Sequence, residues 1–130
     1  MVGVLVVTHG HLAEEFLNSA SMLVGSGTQM GSVCLLPGQA ADDFYEKCES
    51  AVKDTDSGSG ILALVDIPGG TPNNTMYRLA QKYNIRVVTG VNLPMVLVSV
   101  LERTEEDTLE DCVANVLQAG PQEIMEFGKH

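Results

Sequence analysis

Two residues able to do chemistry each follow a run of apolar, β-branched sequence. His9 follows VLVVT and Asp66 follows ILALV. An aspartate beside a histidine can accept the Nδ1–H bond, fix the tautomer and leave Nε2 as a directed nucleophile. The carboxylate also stabilises the positive charge of a ring that has attacked phosphorus. The neighbours suit a phosphoryl group. Gly10 and the helix start after it offer N–H groups on one side, and Gly69, Gly70 and Thr71 offer them on the other. The hydroxyls of Thr8 and Thr71 can add bonds to the phosphate oxygens. Neither a Walker A motif nor GxGxxG is present, so the phosphate is expected from another molecule rather than from bound nucleotide. Each part also has a plain structural use: a histidine after a strand as a turn residue, Asp66 as a turn cap, the glycine pair for chain reversal.

The other ligand-type residues give less. His11 sits at a helix start, where a charged imidazolium opposes the dipole, so exposure or partner contact is expected rather than catalysis. His130 is terminal and expected to be disordered. Cys34, Cys48 and Cys112 fall in apolar registers with no CxxC spacing, which reads as reduced core cysteine. No pair of residues has a metal-ligand spacing, so neither a metal nor a cofactor is expected.

Positioning His9 and Asp66 together requires a particular sheet. Val2–Val7, Ser32–Leu36, Ile61–Val65 and Ile85–Val91 read as buried strands. Between them run amphipathic helical patterns: Leu12, Phe16, Ala20 and Leu23, ended by Gly25; Phe44, Cys48 and Val52; and Met76, Leu79 and Tyr83. Thr71 is placed to cap the third helix, with Pro72 at its first position. Pro94 opens a fourth helix, and Leu109 to Leu117 form a fifth that is expected to end at Gly120–Pro121. QEIMEF then alternates weakly, as an edge strand would. Alternating strands and helices make an α/β fold, a single domain with a doubly wound sheet. Four parallel strands in the order 2-1-3-4, plus QEIMEF as a C-terminal edge strand, give a core of 1–120 and a tail of 121–130. In that order, ligands bind beyond the carboxyl ends of strands 1 and 3, where His9 and Asp66 lie.

Bulk properties limit the partners. A chain of 130 residues can bury a core without staples, and its net charge of −10 argues against nucleic acid and anionic membranes. No apolar run can span a bilayer and no signal segment leads the chain, so a cytoplasmic location is expected. From Ile67 to Leu101 there is no acidic residue, while Arg78, Lys82 and Arg86 form a positive sector that can attract an acidic partner face.

Taken together, a strand running into THG with AEE after it, PG after the second strand, LVD followed by GGTP, and GVNLPM at 90–95 resemble the mannose-type enzyme IIA domain of the bacterial phosphoenolpyruvate-dependent sugar phosphotransferase system. The resemblance runs from residue 1 to about 120. It implies that His9 accepts phosphate on Nε2 from the phosphocarrier HPr and passes it to a IIB component, and that Asp66 orients and stabilises the ring. It also implies that the edge strand is antiparallel and exchanged between the subunits of a homodimer, and that the chain associates indirectly, at the periphery, with membrane IIC and IID subunits. Pro68, Asn73 and His11 depart from residues found in some members, on the rim that would face the IIB partner, which is expected to be a separate polypeptide. Two other readings share these features: a similar subunit serving a dihydroxyacetone kinase, and a non-enzymatic module binding a small anion. A tetrapyrrole chelatase also places His-Gly after its first strand, but needs a second interior histidine for which only His11 is available.

Overall fold

The computed structural model describes residues 1–128, so the expectation for His130 lies outside the described residues. The elements are β1 (Gly3–His9), α1 (Leu12–Val24), β2 (Met30–Leu35), α2 (Ala41–Thr55), β3 (Ile61–Val65), α3 (Gly70–Leu79), β4 (Ile85–Thr89), α4 (Leu93–Leu101) and α5 (Leu109–Gln122). The strands form a parallel sheet in the order β2-β1-β3-β4, as the strand pattern predicts. No helix among the described residues is long and apolar enough to cross a membrane.

The period of two along each strand divides the core. Val4, Val6, Leu62 and Leu64 face a cluster completed by Ala13 and Ala20 of α1, Val96 of α4 and Val116 of α5. Leu5, Val7, Ala63 and Val65 face the opposite cluster, with Phe44, Cys48 and Val52 of α2 and Met76 and Leu79 of α3. Burying such a side chain contributes about 1.5–3 kcal/mol, against about 0.5–1.5 kcal/mol for a typical hydrogen bond. The apolar alternation therefore fixes the register, and the residues at the strand ends follow from it. All three cysteines are buried and unlinked, as their apolar registers predict.

Several boundaries differ from the sequence reading. β1 continues through His9, so the imidazole ends the strand instead of lying beyond it. α3 begins at Gly70 with Gly69 at its N-cap, and Thr71 makes no capping bond. Pro72 still lies in the first turn, where no intrahelical acceptor waits for its missing N–H. α5 does not stop at Gly120–Pro121 but runs on to Gln122. Contact holds that last turn: Gly120 is buried, a Cβ there would lie 3.3 Å from the Met95 side chain, and Asn92 Nδ2 donates to the Gly120 carbonyl at 2.6 Å. Residues 124–127 form no strand in the single chain, and Ile124, Met125 and Phe127 are exposed.

Candidate active site

Register brings the two polar residues together. Val7 pairs with Val65 across β1 and β3, so Asp66 emerges at the level of Thr8, one residue short of His9. From there its carboxylate reaches both the main chain and the ring of the histidine. Oδ2 accepts the His9 backbone N–H at 3.0 Å and lies 2.8 Å from His9 Nδ1. Oδ1 accepts the Ile67 backbone N–H at 3.0 Å. Burial alone would raise the Asp66 pKa. The bonds from the His9 amide, the His9 ring and the Ile67 amide outweigh it and leave the carboxyl below its ordinary value. The group is therefore ionised near neutral pH, and an ionised carboxylate only accepts. His9 Nδ1 must carry the proton, which leaves the Nε2 lone pair uncommitted.

The ring is reachable where the acid is not: the His9 side chain is 48% exposed and that of Asp66 13%. Nε2 looks across to the start of α3. A Cβ added at Gly70 would come within 3.2 Å of His9 Cε1 and 3.5 Å of Nε2, and Gly70 has φ +77°. Only glycine meets both conditions without strain. His9, Gly10 and Thr71 line a groove of about 410 Å³, whose other wall is the loop Leu36–Gln39 after β2. The Gln39 side chain braces that loop by accepting the Leu36 N–H at 3.1 Å. The sequence reading missed this wall, although Pro37-Gly38 directly after a strand signals a loop on the same rim.

Two expected phosphate contacts do not match the geometry. Thr8 is fully buried, and its hydroxyl accepts the Ala13 N–H at 2.7 Å. It anchors the first turn of α1 to β1 and has no route to a group in the groove. The Gly10 N–H is engaged with the Leu35 carbonyl at 2.7 Å. Gly10 instead provides the turn at φ +59° out of the strand. Gly69, Gly70 and Thr71 remain at the open N-terminus of α3, with both glycines exposed. The positive sector is partly engaged within the fold: Lys82 is paired with Glu49 at 2.8 Å and Arg78, still charged, lies 4.4 Å over the Tyr45 ring, whereas Arg86 is exposed. His11 is on the surface as expected, 70% exposed.

A larger groove, about 520 Å³, lies away from this chemistry between α4 and α5, lined by apolar side chains such as Leu93, Leu97 and Leu101 and by Glu102, Gln122 and Glu123. It offers no nucleophile or general acid with a positioned partner.

Known proteins share both the sequence pattern and the fold. The family described as EIIA-man, PTS system fructose IIA component, matches residues 3–117. The mannose-specific EIIAB component of Escherichia coli (strain K12) is 31% identical over 124 residues, 95% of this chain but 38% of that protein. The fructose-specific EIIA component of Bacillus subtilis (strain 168) is 30% identical over 131 residues, covering 100% of this chain and 89% of its own length. The crystal structure of the phosphotransferase system component EIIA from Streptococcus agalactiae superposes with a TM-score of 0.89 at 28% identity, covering 98% of both chains.

Proposed function

From the premise that the chain belongs to the mannose-type EIIA family of the phosphotransferase system, we propose that it is a phosphocarrier in sugar uptake, with His9 as the phosphorylated residue. The observation that carries this reading is the 2.8 Å contact between His9 Nδ1 and Asp66, with the ring exposed in a groove. Nε2 attacks the phosphorus of phospho-HPr in line, and the donor's bond to phosphorus breaks as the Nε2–P bond forms. Asp66 holds the ring on axis and balances the charge that develops on it. The amides at the start of α3 (Gly69, Gly70 and Thr71) and the Thr71 hydroxyl receive the phosphoryl oxygens, favoured by the positive end of the helix dipole. Transfer of this kind rests on positioning and charge stabilisation, so it needs no protein-bound metal. The phosphohistidine then donates to a IIB component, which serves membrane IIC and IID subunits from the cytoplasmic side.

The groove between α4 and α5 and the exposed Leu101, Leu117, Ile124, Met125 and Phe127 support a homodimer in which the segment after α5, residues 123–127, pairs as an antiparallel edge strand on the partner's sheet. Sedimentation at working concentration should give a dimer; a monomer there would exclude it.

Incubation with phosphoenolpyruvate, enzyme I and HPr should place one acid-labile phosphate on the chain. His9→Ala should abolish it. Equal labelling of the variant would remove His9 from the role.

A further inference from the structure

We propose that His11, Glu14 and Cys34 form a zinc site beside the His9 rim. The Nδ1 or Nε2 of His11, a Glu14 carboxylate oxygen and the Cys34 sulfur all lie within 4.8 Å of one another. No role in phosphoryl transfer uses any of the three. The sequence alone shows no metal-ligand spacing because the thiol comes from β2, twenty positions after Glu14, and only the sheet register delivers it.

The framework under the site is held on several sides. Thr8 lies opposite Cys34 in the β1–β2 register, and its hydroxyl ties the Ala13 N–H, fixing the first turn of α1 above the thiol. The Cys34 carbonyl accepts from Lys47 Nζ at 2.8 Å, which secures the strand from the α2 side. Cys34 is thus a fixed, buried ligand at the base of the site, 9% exposed. His11 and Glu14 are exposed ligands above it, 70% and 58% accessible, with His11 Nδ1 already 3.8 Å from Glu14. Ligands on tetrahedral zinc are about 3.3–3.8 Å apart, so closure requires side-chain rotation by the two exposed residues and no backbone movement.

The donor set selects the metal. One imidazole, one carboxylate and one thiolate suit zinc and exclude magnesium and calcium, which take oxygen ligands. Three protein ligands leave the fourth position for water. The helix N-terminus contributes about half a positive charge, which opposes a cation. The thiolate and carboxylate together supply two negative charges, enough to outweigh it. On binding, the S–H bond breaks, sulfur keeps the electron pair to form the Zn–S bond, and the proton leaves to solvent. Zinc capture here does not depend on phosphate at His9.

Reduced protein stripped with a chelator and titrated with Co²⁺ should develop a near-ultraviolet thiolate-to-metal charge-transfer band. The band should saturate at one ion per chain and disappear when Zn²⁺ is added. His11→Ala and Glu14→Gln, both at exposed positions, should each weaken binding about tenfold or more. Cys34→Ala should remove the band, and if that variant does not fold the two exposed variants still decide the matter. His9→Ala should leave band and affinity unchanged. Absence of the band, unchanged affinity in both His11→Ala and Glu14→Gln, or loss of the band in His9→Ala would each overturn the site.

Discussion

At the amino ends of the strands, polar side chains are committed to the backbone. The buried Arg103 donates to the carbonyls of Val2, Thr28 and Gln29. The Gln29 amide bridges the Met1 and Thr55 carbonyls and the Ser57 hydroxyl. At the carboxyl ends, Asp66 is committed in the same way, to two backbone amides and a ring nitrogen, but the ring it holds keeps one nitrogen open to solvent. The same kind of bonding closes one end of the sheet and arms the other. The distinction lies in where the unused group sits: Arg103 Nε is unpartnered but buried, whereas the free nitrogen of His9 belongs to an exposed ring, and substitutions at the two ends should separate stability from transfer.

Removing the brace at the carboxyl end should have the largest effect. Asp66→Ala should slow phosphoryl transfer about 10²–10³-fold, the size expected for losing one preorganised electrostatic group. The fold should remain intact, as checked by circular dichroism alongside transfer from phospho-HPr. A normal rate would show that the acid has no part in the step. The opposite pattern is expected at the amino end. Arg103→Ala should cost about 2–3 kcal/mol of stability in denaturant unfolding, because charge-assisted bonds are lost and carbonyls are left in a buried place. The folded fraction should transfer phosphate at the wild-type rate.

Gly70→Ala should combine the two kinds of effect on a smaller scale. A side chain at φ +77° costs about 1 kcal/mol, and its methyl would crowd the ring edge. Transfer should fall about tenfold, with a modest loss in Tm. The smallest effect is in pH dependence. The folded-state pKa of Asp66 lies below its ordinary value of 3.8, so its contribution to stability is complete above that value. It is lost as pH falls through the lower, folded-state value. The stability gap between wild type and Asp66→Asn should therefore hold from neutral pH to about pH 4 and close below it.

Much of this was legible from residue order. Val4–Val7 and Ile61–Val65 are continuous buried runs, and the 2-1-3-4 strand order makes their ends neighbours, so the meeting of His9 and Asp66 followed from hydrophobic pattern and topology. Hydrogen-bond accounting was less legible. Whether Thr8 faces solvent or the core depends on which side of β1 it occupies once the strand continues to His9. The Gly10 amide is claimed by Leu35 only because β2 runs on to lie opposite His9. Pro121 looked like a helix stop, yet the packing of Gly120 on Met95 carries α5 past it. Nothing in the order of residues places Cys34 under His11. In each case the deciding contact joins residues far apart in sequence, and local propensity does not report it.

The central claim is that Asp66 confines the ring proton of His9 to Nδ1 and thereby makes Nε2 the atom that accepts phosphate. Nitrogen-15 and phosphorus-31 NMR on the ring-labelled protein, before and after phosphorylation, reads both halves of that claim at once. The account predicts an Nδ1–H tautomer in the free protein and phosphorus coupled to Nε2 in the phosphorylated one. A proton on Nε2 in the free ring, or phosphorus bonded to Nδ1, would contradict it.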